Sequence, residues 1–191
     1  MENQQVMEHL PDQRDLIAFR LDNQMYALPI EPIVRIIEMV TITSIPQVNN
    51  VVEGVINVHG KTIPVINLRR HFGLQEVHLQ LRTPIILVQI GEQTFGLIVD
   101  EVMDVLNLSV DQVTRVTDIL PEGLGEAPIL QGLAHIQDET VLLLDLEHLL
   151  LPSHVQALVQ AVATLNDESL PGTLSSKVSV EEISESEEVE L

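Results

Sequence analysis

Catalysis by side chains needs a nucleophile, a base and a group that orients the base, or a set of metal ligands at workable spacing. Residues able to supply such chemistry are few and scattered in this chain. Seven histidines are present: His9, His59, His71, His78, His135, His148 and His154. None forms an H-x-x-x-H pair, and none sits among thiols or in a local carboxylate triad, the spacings that hold zinc. Cysteine is absent, which excludes a disulfide framework, a thiolate zinc site and a cysteine nucleophile. There is no G-x-S-x-G elbow, no P-loop and no G-x-G-x-x-G turn. The acidic group Asp100, Glu101 and Asp104 is interleaved with Val102, Val105 and Leu106. A calcium loop needs more oxygen ligands at closer periodic spacing. The pattern fits a strand edge or turn with its acids toward water. His71, beside Arg69 and Arg70, reads as a surface residue rather than a base. No catalytic residue, metal or cofactor is expected, and binding is left as the function.

The elements that position these residues are mostly strands. Four β-rich pairs recur, each split by a polar or glycine turn: Ile17–Leu21 with Met25–Leu28, Val55–Val58 with Ile63–Ile66, Ile85–Ile90 with Phe95–Val99, and Leu133–Ile136 with Val141–Leu144. Eight short strands with regular turn signals predict a sandwich or small barrel. Several second strands read as continuously apolar, which predicts cover on both faces and two lobes packed together. Ile33–Ile37 after Pro32 reads either as a helical turn or as a further strand. Arg69–Phe72 before Gly73, and Asp145–Leu151 before Pro152, read as short helices. Residues 121–128 read as a loop.

Composition narrows the partners. The hydrophobic fraction is 45%, with no Trp, one Tyr and three Phe, so an aliphatic core is expected. The formal net charge of -20 argues against nucleic acid and anionic lipid as partners. The N-terminal residues lack the order of a signal peptide, and the apolar runs are too short to span a bilayer, so a cytoplasmic location without membrane insertion is expected. Residues 1–14 read as a flexible segment and 15–152 as one domain of two lobes. Residues 153–166 read as an amphipathic helix, since Val155, Leu158, Val159, Val162 and Leu165 recur at helical spacing. Residues 167–191, rich in Ser and Glu, read as a disordered acidic tail.

Three segments carry a resemblance. They are Phe19–Ile30 (FRLDNQMYALPI), Gly54–Arg69 (GVINVHGKTIPVINLR) and Phe95–Leu106 (FGLIVDEVMDVL). In this order they resemble the CheW-like domain of bacterial chemosensory systems, over about Leu16 to Leu151. The resemblance implies a mainly β fold of two intertwined SH3-like barrel lobes with short helices. It implies a non-catalytic adaptor that binds the regulatory domain of a CheA-type histidine kinase and the helical cytoplasmic tip of chemoreceptors. The same adaptor in a pilus-motility or gene-regulatory pathway fits equally, and genomic neighbours separate the two. A small-ligand β-barrel, marked by a deep pocket with convergent polar groups, and a detached kinase module are the other readings.

By position, the resemblance implies a receptor-facing groove drawn from Ile33, Arg35, Ile36, His59, Gly96, Val99 and Val102. Gly54, Gly60 and Pro64 are assigned structural and turn roles. For Val99 and Val102, burial in the core is the favoured reading, because apolar strand residues are usually buried. Two departures stand out: His59 replaces the arginine usual in the family, and Arg35 stands where glutamate is common. A fixed positive charge thereby becomes one that titrates near neutrality, and an acid becomes a base.

Overall fold

The computed structural model describes residues 13–45, 50–119 and 129–150. The 153–166 helix, the acidic tail and the loop at 121–128 lie outside the described residues. All four expected hairpins form. They are β1 (Gln13–Leu21) with β2 (Gln24–Pro29), β4 (Val52–Val58) with β5 (Lys61–Asn67), β6 (Pro84–Ile90) with β7 (Gln93–Ile98), and β10 (Leu130–Ile136) with β11 (Glu139–Leu144). Three strands join them: β3 (Ile33–Glu38), β8 (Glu101–Ser109) and the short β9 (Val113–Arg115). The open choice at Ile33–Ile37 therefore resolves as a strand. Helices are brief: α1 (Leu68–His71), α2 (Val116–Ile119) and α3 (Leu146–Leu150).

The strands form two sheets, ordered β8-β1-β2-β11-β10-β9 and β3-β6-β7-β5-β4. Hairpins pair antiparallel, while β11 meets β2 and β5 meets β7 in parallel. The chain repeats itself: β1, β2, β3, β4, β5 and α1 recur as β6, β7, β8, β10, β11 and α3. The two halves exchange strands. β3 leaves the first half to pair with β6, and β8 returns from the second half to pair with β1. Neither lobe can therefore close without residues from both halves.

Small details follow the repeat. A side chain at Gly54 would overlap the Thr43 carbonyl, and one at Gly132 would come within 2.6 Å of the Thr114 carbonyl oxygen. Asn67 caps α1 by accepting from the Arg70 N–H, and Asp145 caps α3 by accepting from the His148 N–H. Each cap also meets a side chain on the neighbouring strand, with donor and acceptor interchanged: Asn67 donates to Glu53, whereas Gln131 donates to Asp145.

Three large apolar clusters result, beside a minor one of Val52 with Ile45 and Val55. One lies inside each curled sheet: Leu16, Ala27, Leu108, Ala134, Val141 and Leu143 in the first lobe, Ile56, Ile63, Val65, Ile85, Leu87 and Ile98 in the second. The third and largest lies between the lobes. Strand β6 shows why its sequence is continuously apolar: Ile85 and Leu87 face their own lobe, while Ile86 and Val88 face the interlobe core. All four aromatics gather at that interlobe core, with Tyr26 stacked between Phe19 at 5.8 Å and Phe72 at 5.3 Å. Burying a side chain the size of Phe19 stabilises by about 2–3 kcal/mol, so this layer holds the lobes together.

His71 departs from the surface position expected for it. It is half-buried, edge-on to Phe72 at 5.5 Å, and its Nε2 is buried without a partner among the described residues. Burial lowers its pKa and favours the neutral ring.

Candidate partner-binding surface

The candidate groove positions fall on four places in this frame. Ile33, Arg35 and Ile36 lie on β3, an edge strand. A register shift between Ile33 and Arg35 turns this strand outward, so Val34, Arg35 and Ile36 are all exposed. Ile33 packs against the interlobe core, while Ile36 is 41% and Val34 55% exposed. Val102 lies on β8, the strand equivalent to β3. Val102 is the repeat partner of Ile33 and, like it, is half-buried on the interlobe core. Val105, the partner of Ile36, is 51% exposed. Arg35 and Asp104 also occupy equivalent positions, both exposed and of opposite charge.

His59 lies in the β4–β5 turn, at positive φ (52°), with Gly60 at 83°. Asn57 Oδ1 accepts from the Gly60 N–H at 3.0 Å and fixes the turn. Parallel pairing of β5 with β7 and antiparallel pairing of β6 with β7 and β3 put this turn, the β6–β7 turn and the start of β3 at one end of the sheet. Ile33 and His59 thus share an end of the second lobe.

Gly96 and Val99 sit inside. Gly96 is buried between β6 and β5, where an added Cβ would lie 3.0 Å from Ile85 and 3.2 Å from Val65. Val99 is fully buried in the interlobe core. Ile33, Arg35, Ile36, His59 and Val102 are the accessible members of the set. Pro64 is buried opposite Val55, immediately before β5 begins to pair with β7, where its missing N–H costs no ladder bond.

One feature of the region escaped the sequence. Asp100 is not simply an exposed acid at a strand edge. The Arg69 guanidinium donates to both its oxygens at 2.6 Å, and the Asp22 N–H donates to it at 2.6 Å. Arg69 also donates to the Gln75 carbonyl and lies 3.5 Å from Asp22. Burial pushes the Asp100 carboxyl up, but the hydrogen bonds from Arg69 and Asp22 and the guanidinium charge outweigh it and leave its pKa below the ordinary value. The same hydrogen bond raises the pKa of Arg69. This cluster joins α1, the β1–β2 turn and the start of β8, and so fixes where β8 leaves for the first lobe. Glu101 and Asp104 do face water.

No group of three or more metal-ligating side chains occurs among the described residues. No helix among them is long and apolar enough to cross a membrane.

Comparison with known proteins agrees with this architecture. The CheW-like domain matches residues 15–154. The chemotaxis protein CheW of Klebsiella aerogenes is 31% identical over 150 residues, covering 78% of this chain and 89% of that protein. CheW of Thermotoga maritima is 33% identical over 106 residues, covering 54% of this chain and 70% of that protein. The crystal structure of the scaffolding protein TtCheW from Thermoanaerobacter tengcongensis superposes with a TM-score of 0.65 at 29% identity, covering 74% of this chain and 94% of that one. With its mainly β architecture, its two sheets and a family match over most of its length, the chain belongs to the CheW-like domain family.

Proposed function

We propose that this chain is a non-catalytic cytoplasmic adaptor that couples a CheA-type histidine kinase to chemoreceptor tips in a signalling array. Family membership supports the scaffold role. The observation that carries the receptor side is the pair of equivalent strands β3 and β8. They offer aliphatic side chains in matched positions, Ile33 with Val102 and Ile36 with Val105, along the rim of the interlobe core. A helical partner needs a few such anchors on a preformed groove. The kinase side rests on homology between lobes: a CheW-like regulatory domain presents barrel edges of the same kind, and edges of like geometry can pair. The adaptor does no chemistry. It holds kinase and receptor in a geometry that can switch.

Calorimetry with the regulatory domain of the CheA-type kinase encoded in the same genome tests this reading, followed by titration with a receptor-tip fragment. Saturable binding of both at micromolar or tighter affinity is expected. Absence of binding to every such kinase of that genome would leave the fold intact and remove the function. His59→Arg then tests whether the usual arginine tightens receptor binding, as the planar fork would allow.

A further inference from the structure

The first lobe carries an open cavity of about 330 Å³, floored by Leu16, Leu108, Val113 and Leu143. Arg14 and Arg115 line its mouth. Both are exposed, and neither makes an ion pair among the described residues, although the chain has only 9 cationic residues against 29 acids. An aliphatic floor beneath two guanidiniums that have no ion pair among the described residues suits a segment that alternates carboxylates with branched aliphatic side chains.

We propose that residues 178–191 of this same chain dock across this cavity, with glutamates on Arg14 and Arg115 and valine, isoleucine or leucine side chains on the apolar floor. Charge complementarity singles out this segment. It carries Glu181, Glu182, Glu185, Glu187, Glu188 and Glu190, interleaved with Val178, Val180, Ile183, Val189 and Leu191. A separate acidic chain, including a second copy of this protein, must approach against a net charge of -20. The tethered segment is already present. Leu143 lies on β11, which leads directly into α3 and ends the described chain at Leu150. The helix expected over 153–166 would be about 21 Å long and the remaining intervening residues add an r.m.s. reach of about 20 Å, which together span a lobe and give an effective concentration on the order of millimolar. Weak electrostatic contacts that would be unpopulated between separate molecules are populated at that concentration. The docked segment covers one end of the first lobe and withholds that end from other partners.

The absence of cysteine makes the test clean. A single Ser186→Cys substitution in the full-length chain carries a nitroxide label, and methyl spectra read which core residues it approaches. At low salt, the methyl signals of Leu16, Leu108, Val113 and Leu143 are expected to lose at least half their intensity. Those of Ile56, Ile63 and Ile98, the equivalent interior of the second lobe, are expected to keep it. The loss should vanish in 1 M salt, where the Debye length falls to about 3 Å, and in the R14E/R115E variant. It should return when R14E/R115E is combined with E187R/E188R. Any of three results overturns the proposal: no selective loss at low salt, equal loss in R14E/R115E, or loss that appears only when labelled chains are mixed with separate unlabelled ones. Arg14 and Arg115 are exposed, so the variants should fold, and unchanged second-lobe methyl shifts verify that they do.

Discussion

Arg69 and Asp100, thirty-one residues apart in sequence, meet through two contacts of 2.6 Å. The guanidinium grips both carboxylate oxygens, the side-on geometry that only arginine offers. The pair is largely withdrawn from water, with side-chain exposures of 11% and 25%. Removing one partner therefore strands a partly desolvated charge. Asp100→Asn should cost about 2–3 kcal/mol in urea unfolding at neutral pH. The folded carboxyl titrates below its ordinary value near 3.8, so its contribution is complete above that value and is lost as pH falls through the folded pKa. The gap between wild type and Asp100→Asn should hence narrow in strong acid. A gap that is absent at neutral pH, or widens in acid, would refute this role.

Gly54 and Gly60 are both at positive φ, yet they should respond differently to alanine. Gly60 has open space where a Cβ would go, so Gly60→Ala carries only the backbone cost, about 1 kcal/mol. Gly54 has φ of 151°, and a side chain there would overlap the Thr43 carbonyl oxygen, which bonds to Val55 at 2.9 Å. Gly54→Ala must break that bridge and should cost more than about 3 kcal/mol. Thermal melts of the two variants decide the matter, and similar losses would show that the close approach is not needed.

The sequence showed the hairpins because their alternation and turns are local. Ile85–Val88 announced two-sided burial because both faces of β6 are covered. Ile33–Ile37 stayed ambiguous for a physical reason: the register shift exposes Val34, Arg35 and Ile36 together, so neither a strand period nor a helix period fits. The exchange of β3 and β8 between halves was invisible, since it depends on pairings distant in sequence. β9, Val113–Arg115, is too short to show a period at all. Asp100 looked like its exposed neighbours because nothing local reveals that Arg69 reaches it. His71 looked like a surface residue because two arginines precede it, whereas the short α1 turns its ring toward Phe72. Which of the candidate groove positions reach the surface was not legible locally: Ile33 and Val102 are half-buried on the interlobe core, whereas Ile36 is exposed. The placement of Gly96 inside the second lobe required knowledge of its strand neighbours.

Val99 and Ile36 separate stability from binding. Val99 is fully buried, and Val99→Ala should destabilise the domain by about 1–3 kcal/mol while leaving receptor-tip affinity nearly unchanged at temperatures where it is folded. Ile36 is exposed, and Ile36→Glu should leave stability within about 0.5 kcal/mol while weakening tip binding about ten-fold or more. Equal affinities for wild type and Ile36→Glu would remove β3 from the binding surface.

Arg35 and Asp104 occupy equivalent positions on β3 and β8, with opposite charge. Where two halves of a groove repeat one another, apolar anchors alone do not say which way round a helix lies. Opposite charges at matched positions break that ambiguity, because a reversed partner would bring like charges together. Neither residue forms an ion pair among the described residues, so reversal of either should not disturb folding. Arg35→Glu or Asp104→Arg alone should slow association with the receptor tip and alter its salt dependence, with a smaller effect on dissociation. The double variant should bind a tip fragment whose own charges have been exchanged better than the native one. Stopped-flow association rates at two ionic strengths would measure this. If both single variants associate at the wild-type rate and with the wild-type salt slope, the charges at 35 and 104 play no part in orienting the partner, and shape alone must fix its direction.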